Sequence, residues 1–216
     1  MSPPELRVVD DLAEAGEELF LEAGPRTVAL VGGSTPRPVY ERLAGIAYPW
    51  EEVDVFFGDE RCVPSDHPES NYGMAKAALL DLVDARVHPM HACDPEAYER
   101  ELHKVFGEGI PRFDLIFLGI GTDGHTASLF PGRPELDIED RLVAYVSEPG
   151  LPPPVPRMTL TFPVLRAGKL LAFLVSGQDK RERVRQLLDG EDIPAARVTA
   201  DRVIVLADPA AAPGAA

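Results

Sequence analysis

Sulfur and aromatic rings are scarce in this chain: two cysteines, four methionines and one tryptophan among 216 residues, with aromatic residues at 7%. Cys62 and Cys93 are too few for a disulfide framework, and their spacing matches no metal knuckle. A reducing, cytoplasmic setting is the expectation, with a single bridge left open. Long apolar runs are also missing: none approaches the roughly 20 residues a membrane helix needs, so no membrane partner is expected. The first residues run through Pro3, Pro4 and Glu5 instead of a basic segment and an apolar one, so no secretory signal is expected. Positive charge is the minority, with 21 Lys and Arg against 36 Asp and Glu and a net charge of -15. That balance speaks against nucleic acid as a partner. It leaves room for a small anion, which responds to the groups lining its pocket because the distant surface field is screened over about 10 Å. Any basic residue beside a glycine loop is therefore informative.

With 45% hydrophobic residues the chain can bury a sizeable core, and residues 1–216 are expected to form one domain. Apolar β-rich runs recur: TVALV (27–31), VDVFF (53–57), RVHPM (86–90), FDLIFLG (113–119), LVAYV (142–146), MTLTF (158–162), LLAFLV (170–175) and RVIVLA (202–207). Several are apolar on both faces, as strands covered on each side are. Helices are expected over 37–43, 71–83, 95–106 and 178–188, the third capped by Asp94 with Pro95 in its first turn. A first helix over 11–23 is weakened by Gly16. This alternation predicts an α/β fold: an open, mostly parallel twisted sheet with helices on both faces. Proline, at 22 residues, concentrates in EPGLPPPVPR (148–157), read as a stiff rim loop, and residues 208–216 are expected to fray as a flexible tail.

Gly119, Gly121 and Gly124 in FLGIGTDGHTASLFPG (117–132) spell GxGxxG, the dinucleotide fingerprint. That motif must open a substantial helix. Here Pro131 and Gly132 interrupt the chain too soon, so no nucleotide cofactor is expected. The glycines instead let the strand turn sharply and bring Asp123 and His125 to the carboxyl edge of the sheet, where open α/β proteins bind ligands. GGSTP (32–36) follows another strand. Its amides and hydroxyls suit a phosphate, against the plainer reading of Ser34 or Thr35 as a helix cap. GDERCVP (58–64) puts Asp59, Glu60 and Arg61 at a third edge, alternatively a salt-bridged turn. Arg157 and Lys180 are candidate anion ligands, Lys180 in competition with Arg181, Arg183 and Arg185. His67 is a candidate for the rim of a cleft, while His88, His91 and His103 carry weaker signals, and no metal site is expected.

The ordered set GGSTP, GDERCVPSDHPESNYGMAK, FDLIFLGIGTDGHTASLFPG, RMTLTFPVL, SGQDK and PAARV resembles the 6-phosphogluconolactonases, within the wider family of glucosamine-6-phosphate deaminases and isomerases. The resemblance runs from about Thr27 to Val205, and its block DGHTASLFPG is the most specific. It implies a cytosolic enzyme that hydrolyses 6-phospho-D-glucono-1,5-lactone to 6-phosphogluconate, the second step of the oxidative pentose phosphate pathway, without a nucleotide cofactor or metal. It also implies a sugar-phosphate isomerase/lactonase type of modified Rossmann-like fold. The family's phosphate grip falls on Gly33, Ser34, Thr35, Arg157 and Lys180, its histidine on His125, its edge residues on Asp59, Glu60 and Arg61, and Asn71 closes the same side. An imidazole, which titrates near neutrality, suits removal of a proton from the attacking water. Amides from Gly121 to Gly124, with Arg61, are expected to stabilise the oxyanion, and either Asp123 or Asp59 to orient the imidazole. Deaminase relatives carry an acid five positions after the histidine, where this chain has Phe130, which cannot transfer protons. The alternatives are therefore a deaminase/isomerase or a sugar-phosphate sensor without turnover. No obligate protein partner is expected, and a monomer or weak dimer is.

Overall fold

The structure, a computed structural model, describes residues 3–91 and 93–214. Along the chain come β1 (Glu5–Val8), α1 (Leu12–Ala23), β2 (Thr27–Leu30), α2 (Arg37–Leu43), β3 (Asp54–Phe57), β4 (Asp59–Arg61) and α3 (Asn71–Ala75). There follow β5 (Arg86–Val87), α4 (Pro95–Phe106), β6 (Leu115–Leu118), β7 (Val143–Val146), β8 (Arg157–Leu160) and α5 (Phe162–Arg166). The last are β9 (Leu170–Val175), α6 (Arg181–Asp189) and β10 (Arg202–Ala207). Seven strands form one sheet in the order β1-β10-β9-β6-β2-β3-β5, parallel throughout. Strands β3, β6 and β9 are buried at every position, which is why they read as unbroken apolar runs.

The strand order says where a ligand belongs. From β2 the chain moves outward through β3 and β5, whereas β6 lies on the other side of β2 and leads on to β9 and β10. The switch point falls between β2 and β6, and the crevice beyond their carboxyl ends is the place such sheets bind ligands.

Strands β4, β8 and β7 make a second, antiparallel sheet of three strands. The runs LVAYV and MTLTF, expected in one open sheet with the others, lie here instead. The cause is the turn at Gly58: its carbonyl accepts the Leu160 amide at 2.8 Å, so the chain leaving β3 starts a new ladder within one residue. Val143, Met158 and Leu160 of the small sheet join the same contiguous core as Phe56, Phe117 and Phe173 of the large one.

Helix ends follow local chemistry. Asp94 caps α4 by accepting the Ala97 amide at 2.9 Å, as expected, and Asp11 caps α1 through the amides of Ala13 and Glu14. Gly16 does not weaken α1 so much as admit α2: a Cβ there would lie 2.7 Å from Val39 Cγ2. The expected helix over 71–83 passes at Lys76 into one wider π turn ending at Leu80, and that over 178–188 opens with a 3-10 turn, Gln178–Lys180.

Two further features differ from expectation. The bridge left open by the sequence is present, Cys62 bonded to Cys93, tying the exit from β4 to the segment before α4. Residues 208–212 are tied down where a fraying tail was expected. Asp208 accepts the Ser176 hydroxyl and the amides of Gly177 and Ala211, and Ala211 and Ala212 are buried; residues 215–216 lie outside the described residues. Among the described residues no helix is long and apolar enough to cross a membrane.

Candidate active site

A cavity of about 290 Å³ opens at the switch point, beyond the carboxyl ends of β2, β6 and β9. Gly33, Ser34, Thr35, Asp59, Arg61, Asn71, Gly121, His125, Arg157 and Lys180 all line it. Residues spread over more than 140 positions of sequence thus meet around a volume near the lower end of ligand pockets, roughly 300–1,000 Å³.

The β2 side is made of backbone. The Tyr40 hydroxyl, buried in α2, accepts the Val31 amide and donates to the Val31 carbonyl, both at 2.9 Å, which fixes where the strand ends and the glycines begin. Pro36 stands at the N-cap of α2, and no side chain caps that helix. Ser34 and Thr35 therefore leave their hydroxyls to the cavity, and the plainer reading of GGSTP as a cap fails.

The β6 side carries the histidine. Asp123 Oδ1 lies 2.6 Å from His125 Nδ1 and accepts the His125 amide at 3.0 Å. With Nδ1 turned to the carboxylate, the other ring nitrogen, Nε2, is left for the cavity. Burial alone would push the Asp123 carboxyl up, but the bonds it accepts from His125 outweigh that and hold it below the usual carboxylate range. This resolves the choice between carboxylates: Asp123 holds the imidazole. Gly121 is required by contact, since a Cβ there would fall 2.0 Å from His125 Nδ1. The Gly121 amide donates to the His125 carbonyl at 2.8 Å and the Gly124 amide to the Gly121 carbonyl at 3.0 Å. Both are spent within the loop, which removes them as donors to an oxyanion. Gly124 itself does not line the cavity. It packs against Ile193 in the left-handed region, at φ 89°.

The third side is the small sheet. In an extended strand alternate side chains share a face. Asp59 and Arg61 accordingly face the cavity, and their ladder partners Thr159 and Arg157 lie opposite them. The Asp59 carboxylate, 3% exposed, accepts the Ser128 hydroxyl at 2.6 Å and the Asn71 amide at 3.1 Å. Arg61 donates to the Glu69 carbonyl at 2.7 Å, and Arg157 to the carbonyls of Leu151 and Pro153 at 3.1 and 3.4 Å. The Nε of each guanidinium is buried without a partner. Burial pulls the Arg157 guanidinium below its ordinary range, the nearby Asp59 charge opposing it.

Glu60 points the other way and is no part of the cavity lining. Its carboxylate accepts the amides of Arg61, Asn71 and Tyr72, each at 2.7 Å, and the Ser70 hydroxyl at 3.0 Å. It secures the start of α3, and burial pushes it above the usual carboxylate range against those bonds.

The competition among basic residues after β9 is also resolved. Lys180 faces the cavity, with Asp179 at 3.4 Å. Arg181 bonds the carbonyls of Pro209 and Ala210, Arg183 that of Thr122, and Arg185 pairs with Glu182, Asp189 and Glu191. Sequence reasoning did not single out Tyr40, Ser128, Ser176 or Ala127, which lines the cavity at φ 48°, and saw Phe130 only as a missing acid. None carries a spacing signature; a β reading of DER was the one available clue, and it would have paired Asp59 with Arg61 and dropped Glu60. His67 accepts the Glu69 amide at 3.1 Å in its own loop and does not line the cavity, His88 pairs with Asp54, and His103 bonds the Gly107 carbonyl. Among the described residues no cluster of three or more His, Cys, Asp or Glu side chains is placed to hold a metal ion.

A parallel sheet with a switch-point cleft and a histidine–aspartate pair at its edge is the arrangement of an α/β protein with a small-ligand site. The family model described as glucosamine-6-phosphate isomerases/6-phosphogluconolactonase matches residues 5–206, and the chain belongs to that family. Over 185 residues it is 46% identical to the 6-phosphogluconolactonase of Synechocystis, covering 80% of this chain and 75% of that one. It is 36% identical over 196 residues to the 6-phosphogluconolactonase of Thermotoga maritima, covering 87% and 86% of the two chains. The crystal structure of a Thermotoga maritima 6-phosphogluconolactonase superposes with a TM-score of 0.85 at 32% identity, over 95% of this chain and 99% of that one.

Proposed function

We infer that the chain hydrolyses 6-phospho-D-glucono-1,5-lactone to 6-phospho-D-gluconate. The observation that carries this reading is that the Asp123-held imidazole of His125 shares one cavity with the GGST loop, Lys180 and Arg157. Family membership and the similarity to several 6-phosphogluconolactonases support it. The GGST loop and Lys180 take the phosphate, with Arg157 as a second, fixed positive charge. Anchoring that end reduces the freedom lost when the lactone carbonyl meets water. His125 Nε2 removes a proton from the water as its oxygen attacks C1, and the Asp123 carboxylate supports the imidazolium so formed. The carbonyl oxygen becomes an oxyanion; the Gly121 and Gly124 amides are spent, and the Arg61 guanidinium, on the small-sheet side of the cavity, supplies positive charge to it. The bond from C1 to the ring oxygen then breaks and the imidazolium returns its proton to that oxygen; the carboxylic acid so formed releases its remaining proton to solvent, and the product leaves as a carboxylate.

The cross-strand pairing of Arg61 with Arg157 favours an anionic ligand independently. Like charges directly opposite on adjacent strands repel, and a bound anion between them offsets the cost. The decisive assay uses freshly generated lactone, corrected for spontaneous opening, with glucosamine 6-phosphate alongside. Turnover of the lactone alone is expected, and His125→Ala is expected to lower kcat by about 10²–10⁴-fold while product binding persists. Undiminished turnover in that variant would remove the imidazole from the mechanism. Turnover of the amino sugar in place of the lactone would overturn the reaction itself.

A further inference from the structure

Phe130 occupies the position where proton chemistry is absent, yet it is one of the largest fully buried side chains in the molecule and stands directly behind the cleft. Its ring centroid lies 4.5 Å from that of His125, the two planes tilted by 39°. On the same ring the Arg157 guanidinium carbon sits 5.2 Å from the centroid, within cation–π range. A third neighbour closes it in: a Cβ at Gly150 would meet the Phe130 ring at 3.0 Å, so the proline-rich segment 148–157 presses its backbone onto the phenyl. The same segment accepts both carbonyl-directed bonds of Arg157.

We propose that Phe130 is a positioning residue for the lactone hydrolysis, a single aromatic plate that sets the direction of His125 on one side and the height of Arg157 on the other. Asp123 fixes one nitrogen of the imidazole and Gly121 lies against its edge, which leaves the faces of the ring to be held by other contacts. Contact with the phenyl holds one face and aims Nε2 across the cavity. Arg157 bonds two carbonyls of its loop through one terminal nitrogen alone, at 3.1 and 3.4 Å, and its Nε has no partner, so the ring's negative face adds a further restraint. The inference rests on the reading of His125 as the base.

Two replacements separate the two contacts. Phe130→Leu keeps an apolar filler but removes the flat face. It is expected to lower kcat by about tenfold, in line with the loss from a misplaced catalytic group, with circular dichroism and thermal unfolding establishing a folded sample. Pentafluorophenylalanine at position 130, introduced by nonsense suppression, nearly preserves shape while reversing the charge distribution of the ring. It is expected to raise KM about threefold or more, because Arg157 is a cation in the substrate complex, whereas His125 becomes a cation only during turnover, so that any loss at its contact is read in kcat instead. Wild-type kcat in folded Phe130→Leu would overturn the proposal for His125, and an unchanged KM in the fluorinated enzyme would overturn it for Arg157. Should Phe130→Leu fail to fold, the fluorinated enzyme still decides the Arg157 contact, and its His125 proton resonances, compared with the parent's by NMR, decide the other: a preserved ring-stacked shift supports it and a random-coil shift overturns it. His125→Ala serves as the reference: if that variant turns over normally, the base assignment fails, whatever Phe130 does.

Discussion

On the side of the cleft served by β2, β6 and β9, tight turns present amides, short hydroxyls and one histidine. On the side served by β4 and β8, a ladder presents Asp59, Arg61 and Arg157 at alternate positions. The first side places atoms by the path of the backbone, so any added bulk is felt at once. The second places them through long side chains held by partners: Ser128 and Asn71 for Asp59, Glu69 for Arg61, the 148–157 segment for Arg157. A phosphate, which must be enclosed, suits the first plan, with Arg157 reaching in from the second, and a charge that develops during reaction suits Arg61.

Substitutions that strike one side and spare the other test this division. The largest effect is expected from Gly121→Ala, whose methyl must displace the imidazole; kcat should fall by about 10²-fold with KM nearly unchanged, read by steady-state kinetics. Next is Asp59→Ala, which strands the Ser128 hydroxyl in a buried site and leaves the Asn71 side-chain amide only its bond to the residue 59 carbonyl. Chemical unfolding should report a loss of about 1–3 kcal/mol, together with reduced activity. Glu60→Gln, one residue along, is the sharper contrast. Its NH2 must face amides that now donate to a carboxylate, so stability should drop by about 1–3 kcal/mol while kcat and KM stay within about twofold. A large loss of kcat there would break the alternation argument.

The smallest effect is one of pH. Asp123 has its carboxyl lowered in the folded state, so its contribution to stability is complete above the ordinary carboxylate value, near 4, and disappears as pH falls through the folded one. Denaturant midpoints of the parent and Asp123→Asn should therefore converge as the pH falls below about 4. A constant gap would mean that the carboxylate is not held by its histidine.

How far the sequence could be read follows the same line between the two sides. GGST and DGH were legible because a strand ending in glycine and polar residues has few uses at a sheet edge, and α2, α4 and the parallel strands followed from caps and apolar runs. The small sheet was hidden because β4 is three charged residues long, and charge reads as a turn. Glu60 was grouped with the site for that reason, although period two separates it from Asp59 and Arg61. Gly16 read as a weak point because propensity is local, whereas its use is contact with Val39 on another helix. The ordered stretch at 208–212 was missed because small alanines gave no hint of burial beside Ser176 and Gly177.

Arg183, on α6, bonds the Thr122 carbonyl at 2.7 Å, and the Ala195 amide bonds that of Gly124 at 3.0 Å. The turn bearing the imidazole is thereby bolted to the same stretch of chain that starts with Lys180. On the function proposed above, the phosphate end and the reacting end of the ligand meet one connected frame, and the gap between them is a gauge set during folding. Such a gauge sorts candidates by reach, and a phosphorylated lactone one carbon shorter is expected to turn over with a lower kcat/KM.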